Sequence, residues 1–186
     1  MKNYLSWLSL LTGSAIGLAL PGPGACAENP NQGDVVDLGG LKSQVPADWV
    51  EVQPDDAQYY KQYRLFPVGD GVDYSEVSIR FLRNGETAAE YVKRWKALFL
   101  PPEGKTMQEA VKVRQLTVNG VSATYLDALG DYKGIPGDAA TPRENYRLLG
   151  VYLKTPKGAY LIRLFGPDQA VRVYRQEFEN WVKAFK

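Results

Sequence analysis

Val111-Lys112-Val113-Arg114-Gln115-Leu116-Thr117-Val118-Asn119-Gly120-Val121-Ser122-Ala123-Thr124-Tyr125-Leu126-Asp127-Ala128-Leu129 decides the fold. Two runs suited to strands flank Asn119-Gly120, a pair that takes the positive φ angles of a two-residue hairpin turn at little cost. Residues 111–118 and 121–129 are therefore expected to be neighbouring antiparallel strands. A second hairpin is expected just beyond, from Tyr146–Lys154 and Ala159–Phe165 around Thr155-Pro156-Lys157-Gly158. Hairpins impose antiparallel pairing, because parallel neighbours need a long crossover.

Toward the C-terminus the period changes from two to nearly four. Gly166-Pro167-Asp168 suits a helix start, with Pro at the first helical position and Asp near the positive end of the dipole. Val171, Tyr174, Phe178, Trp181, Val182 and Phe185 then make one apolar stripe. Upstream of the first hairpin a second helix is expected. Thr87 and Glu90 have capping-box spacing, Ala88, Tyr91, Val92, Trp95, Leu98 and Phe99 share a face, and Pro101-Pro102 ends the run. Four strands are expected before it, over 41–45, 49–52, 59–66 and 76–82; in the last, Val77, Ile79 and Phe81 alternate with Ser78, Arg80 and Leu82. The expected class is α+β: a twisted, mostly antiparallel sheet with two amphipathic helices packed on it. Trp49, Trp95 and Trp181 are expected in the core.

The N-terminus reads as an export leader. Lys2 precedes an apolar run from Leu5 to Leu20, Pro21 and Pro23 break it, and Ala25-Cys26-Ala27 has the small-x-small form of a cleavage site. The run is too short for a spanning helix, which needs roughly 20 apolar residues. The expected organisation is a signal peptide over 1–27, a polar lead-in over 28–34 and one domain over 35–186, placed in the periplasm or outside the cell. The alternatives are a lipoprotein with Cys26 as its lipidated first residue, and an uncleaved anchor.

This reading restricts the chemistry. The chain has one Cys, which lies in the leader, and no His. The exported domain then has no thiol, no imidazole and no disulfide, so Cys and His nucleophiles, His bases and most zinc or copper sites are excluded. The 22 basic and 21 acidic residues reach parity once Lys2 leaves with the leader, which argues against nucleic acid as a partner. No Gly-rich phosphate loop or nucleophile elbow occurs. Ser43 beside Lys42 is no catalytic pair, since adjacent strand residues face opposite ways. Neither a cofactor nor a metal is expected; Asp70, Asp73 and Glu76 cluster at a turn without the spacing of a calcium loop.

The remaining acid-base candidates are Asp127, Asp131 and Glu144, which would serve a glycan hydrolase only if two of them faced each other across a cleft. Tyr is abundant, with Tyr59, Tyr60 and Tyr63 on one strand and Tyr125, Tyr132, Tyr146 and Tyr152 in the hairpins, interspersed with Arg64, Arg143 and Arg147. Such residues favour recognition surfaces. The segment Lys133–Glu144, rich in Gly, Pro and Ala, is expected as a binding loop or flap. Tyr132, Lys133, Arg143, Glu144 and Arg147 are therefore the candidate binding residues.

A short strand, then Val45-Pro46-Ala47-Asp48-Trp49, further strands, a helix, two hairpins and a C-terminal helix resembles the PsbP-like domains, including the bacterial DcrB-type proteins. The resemblance covers most of the chain after the leader. It implies an exported accessory or scaffolding domain and supplies no catalytic motif. The functional expectation is a non-catalytic module that recognises a protein or cell-envelope component, with no membrane span after cleavage. The alternatives are a carboxylate-dependent hydrolase and a small-ligand carrier with an apolar pocket between helix and sheet.

Overall fold

The computed structural model describes residues 34–54, 57–66, 73–83, 85–134 and 142–186. The expected signal peptide over 1–27, nearly all of the expected lead-in and most of the segment between Lys133 and Pro142 lie outside the described residues. The elements run β1 (Val35–Leu38), β2 (Leu41–Gln44), β3 (Val50–Val52), β4 (Tyr59–Leu65), β5 (Ser75–Leu82), α1 (Ala88–Ala97), β6 (Phe99–Leu100), α2 (Met107–Ala110), β7 (Val111–Val118), β8 (Val121–Tyr132), β9 (Arg143–Thr155), β10 (Gly158–Pro167) and α3 (Asp168–Lys183). The expected α+β architecture is present. An eight-stranded sheet is ordered β3-β4-β5-β10-β9-β8-β6, with β7 also on β8, and β1-β2 forms a separate ribbon. Every pairing among the described residues is antiparallel.

Both hairpins form where the sequence puts them. Val118 pairs with Val121 across Asn119 and Gly120, whose φ angles are +45° and +77°. The return of β10 beside β5 closes the sheet between its two halves.

Each sheet face then receives a helix. On one, Val77, Ile79, Leu149, Val151, Ile162 and Leu164 are fully buried against Val171, Phe178, Trp181 and Val182 of α3. At its far end Lys42 and Lys186 exchange backbone hydrogen bonds at 2.8 and 3.0 Å, which ties the C-terminus to β2. Ser43 is buried and donates to the Trp181 carbonyl, while Lys42 is paired with Asp37, so these neighbours do structural work on opposite faces. The other face carries Leu126, Ala128, Leu148 and Leu161 against Tyr91 and Trp95 of α1. Thr87 and Glu90 make the expected reciprocal cap. Gly150 of β9 lies under the Tyr91 ring, where a Cβ would stand 2.2 Å from the phenol oxygen.

Several expectations are corrected. Leu98 caps α1, and Phe99 belongs to β6, not to the helix. Strand β1 and the one-turn α2, capped by Thr106 and Glu109, were not expected. Strand β8 continues past Gly130 because that residue takes φ +155° and lets the Leu100 carbonyl approach to 1.9 Å from where a Cβ would sit. Strand β9 starts at Arg143, so Arg143 and Glu144 are strand residues rather than loop. Pro167 stands one position earlier than expected, as the cap of α3, and Asp168 opens the first turn.

Candidate functional site

Residues alternate across β10, so Ile162 and Leu164 enter the α3 core while Arg163 and Phe165 emerge on the α1 face. Arg163 pairs in register with Ser78 of β5, which pairs with Gln62 of β4. On this part of the face the strands carry Gln62, Arg64, Glu76, Ser78 and Arg80 in place of a hydrophobic patch. The edge of α1, marked by Trp95, is one wall of a groove of ≈ 580 Å³.

Arg163 is its centre. Its Nε and Nη2 donate to Ser78 Oγ at 3.1 and 2.9 Å, and Nη2 also donates to the Tyr59 hydroxyl at 2.6 Å. The guanidinium lies 4.9 Å from the Trp95 ring centre and 5.1 Å from that of Tyr59. It is thus held by two rings and two hydroxyls, with Nη1 left without a partner among the described residues. Trp95 is 6% exposed, and its indole Nε1 is buried with no hydrogen-bond partner.

Around it stand further rings. Phe165 has Tyr132 at 4.9 Å and Tyr146 at 5.2 Å between ring centres, and the Arg143 guanidinium lies 5.5 Å over Tyr146. Tyr74, which is 38% exposed, carries the Arg64 guanidinium at 5.0 Å. Asp73 and Glu76 complete the lining, so both signs of charge face one concavity. Glu76 accepts from Gln62 at 2.7 Å.

The sequence-derived candidates divide between the two faces of the sheet. Tyr132 and Arg143 face each other across β8 and β9 and both line the groove. Lys133 is exposed, and its amide donates to the Leu98 carbonyl at 2.9 Å. Glu144 is exposed. Asp131 accepts the Asn145 amide at 3.0 Å, next to a positive φ of 55° at Asn145 that bends the start of β9.

Arg147 and Asp127 lie on the opposite face. Arg147 donates to both Asp127 oxygens at 2.8 and 2.9 Å and to Asp168 at 3.0 Å, while Arg175 reaches Asp127 at 2.9 Å. Burial pulls the Arg147 guanidinium down, but the hydrogen bonds and charges of Asp127 and Asp168 outweigh it and leave the group above its ordinary range. This network fastens α3 to β8 and β9. Asp127 is an ion-pair partner here, and Asp127, Asp131 and Glu144 line none of the four grooves described.

The groove residues missed in the sequence are Tyr74, Arg163 and Phe165; Glu76 was read only as part of an acidic turn and Trp95 only as core. Arg163 was the legible one, being a lone cation in the alternating run Tyr160–Phe165, flanked by residues bound for the core. Asp73 and Glu76 do adjoin the groove, but Asp70 lies outside the described residues. Among the described residues no cluster of three or more acid, thiol or imidazole side chains suits a metal. None of their helices is long and apolar enough to cross a membrane.

No family model matches the chain, and no curated protein matches it. Among solved structures, it is similar to a Pseudomonas aeruginosa protein of unknown function, described as a candidate regulator. The two share 11% identity at a TM-score of 0.45, over 81% of this chain and 93% of the other.

Proposed function

We propose that the chain is an exported, non-catalytic binding module of PsbP-like shape, which recognises a polypeptide segment of a partner protein in the groove around Arg163. The observation that carries this reading is the fixed guanidinium: two rings and two hydroxyls hold Arg163 at the floor of a groove lined by further aromatic rings. Aromatic rings and arginine are the groups that dominate recognition energetics, and here they need little ordering on binding. The mixed charges favour a polypeptide. A uniformly anionic wall polymer would meet Asp73 and Glu76, whereas a peptide offers both signs together with apolar side chains.

Selection of random peptides on the domain tests this. Retained peptides are expected to pair an acidic residue with an aromatic or aliphatic one. Arg143→Glu and Arg163→Met are each expected to weaken the selected peptide by about tenfold or more, or about 1.4 kcal/mol. Arg143 is exposed, so its substitution leaves folding intact. Failure to select any peptide, or binding that ignores both substitutions, contradicts the proposal; retention of glycans instead reassigns the groove.

A further inference from the structure

We infer that the other end of the same sheet carries a second, independent site, for an acidic amphiphile: a carboxylate, sulfate or phosphate head joined to an apolar body. A groove of ≈ 880 Å³ opens there between the β9–β10 hairpin and the start of α1. That volume is within the range of small-molecule sites, about 300–1,000 Å³.

Its floor follows from the register. Leu82 of β5, Ala159 of β10 and Lys154 of β9 stand side by side across three strands. Ala159 is the small residue between two long ones, so the floor dips at its position. The walls are fixed. Tyr152 donates to the Glu86 carbonyl at 2.8 Å, which holds its ring beside the start of α1. Thr155 Oγ1 donates to the Gly158 carbonyl at 2.9 Å and accepts the Lys157 amide at 3.2 Å, which sets the shape of the turn. Gly158 lies so close to the Phe81 ring that a Cβ would stand 2.4 Å from it.

The charge is one-sided. Arg83, Lys154 and Lys157 line the groove, and no carboxylate does so among the described residues. None of the three has an ion-pair partner among the described residues. An adjoining groove of ≈ 660 Å³ shares Phe81 and Arg83 and adds Arg80 and the exposed Tyr60, again with no carboxylate among its described lining. In a chain with nearly equal basic and acidic residues this is a local excess. Chemistry then narrows the ligand. An inorganic anion would leave the apolar floor wet, and a neutral lipid would leave three cations without a counter-charge. A ligand with both parts satisfies both.

Titration of the domain with dodecanoate, below its micellar concentration, tests the inference. Binding is expected at about 100 μM or tighter. Dodecyl maltoside and inorganic phosphate are each expected to bind at least about tenfold more weakly. The exposed pair Lys154→Glu and Lys157→Glu is expected to cost about tenfold or more, and Ala159→Trp, which fills the floor, to abolish binding. Arg143→Glu leaves dodecanoate binding unchanged, so this result stands or falls apart from the peptide groove. Flotation with phosphatidylglycerol vesicles assigns the head group to a bilayer; dodecanoate binding without flotation assigns it to a free amphiphile, and either outcome upholds the site. Absence of both, equal binding of dodecyl maltoside, or indifference to the folded double lysine variant overturns it.

Discussion

Asp127→Ala is expected to lower folding stability by about 3–5 kcal/mol, the cost of leaving buried charge uncompensated. Asp127 is 6% exposed and accepts from two guanidiniums, those of Arg147 and Arg175. Its removal takes the bidentate partner from Arg147 and one of two carboxylates from Arg175. Arg147 retains Asp168 at 3.0 Å and Arg175 retains Glu179 at 3.3 Å, which moderates the loss without cancelling it. Denaturant unfolding measures the effect as a lower midpoint at an unchanged slope. A loss under about 1 kcal/mol would mean that the network is no more than a set of surface pairs. The same variant separates a structural carboxylate from a catalytic one, since a general acid or base can be removed with little change in stability.

Trp181→Ala is expected to cost a similar amount, about 3–5 kcal/mol, through lost burial and the cavity left behind. The Trp181 ring is 3% exposed and packs edge-on against Trp49 at 4.9 Å and Phe185 at 5.1 Å. The contrast with Trp49 is informative. Trp181 Nε1 is buried without a partner, whereas Trp49 Nε1 donates to Glu177 at 2.8 Å. Trp181→Phe therefore removes an unsatisfied donor along with some ring area and is expected to cost under about 1.5 kcal/mol. Trp49→Phe removes the same area and also orphans Glu177, whose carboxyl burial already pushes upward. It is expected to be the more costly of the two, as read from paired unfolding curves.

What the sequence made legible was periodic and local. The Asn119-Gly120 turn, the Thr87 cap and the α3 stripe each follow from a few neighbouring residues, and together they dictate antiparallel strands with helices to cover them. Short elements escaped because little distinguishes them locally. Phe99 fits the helical stripe as well as it fits a strand; its place is decided by pairing with Tyr132, which is 33 positions away. The α2 cap, Thr106-Met107-Gln108-Glu109, has the same spacing as the one recognised at Thr87 and could have been found.

The candidate site was legible only in part, for a geometric reason. Gathering Tyr132, Lys133, Arg143, Glu144 and Arg147 into one site treats nearness in sequence as nearness in space. The strand pleat and the bend at Asn145 instead send Arg143 to the α1 face and Arg147 to the α3 face. The groove is assembled from six separate segments, in or beside β4, β5, α1, β8, β9 and β10. Only the β10-next-to-β5 closure brings Arg163 to Ser78 and Tyr59, and no local pattern announces that closure.

The most direct measurement follows backbone and indole N–H resonances of the domain while the selected peptide is added. The account predicts that the largest shifts fall on Ser78, Trp95, Arg163 and Phe165, with the unpartnered Trp95 indole N–H among them. Shifts confined to the β9–β10 turn or to the outer surface of α3, with these four unmoved, would contradict it.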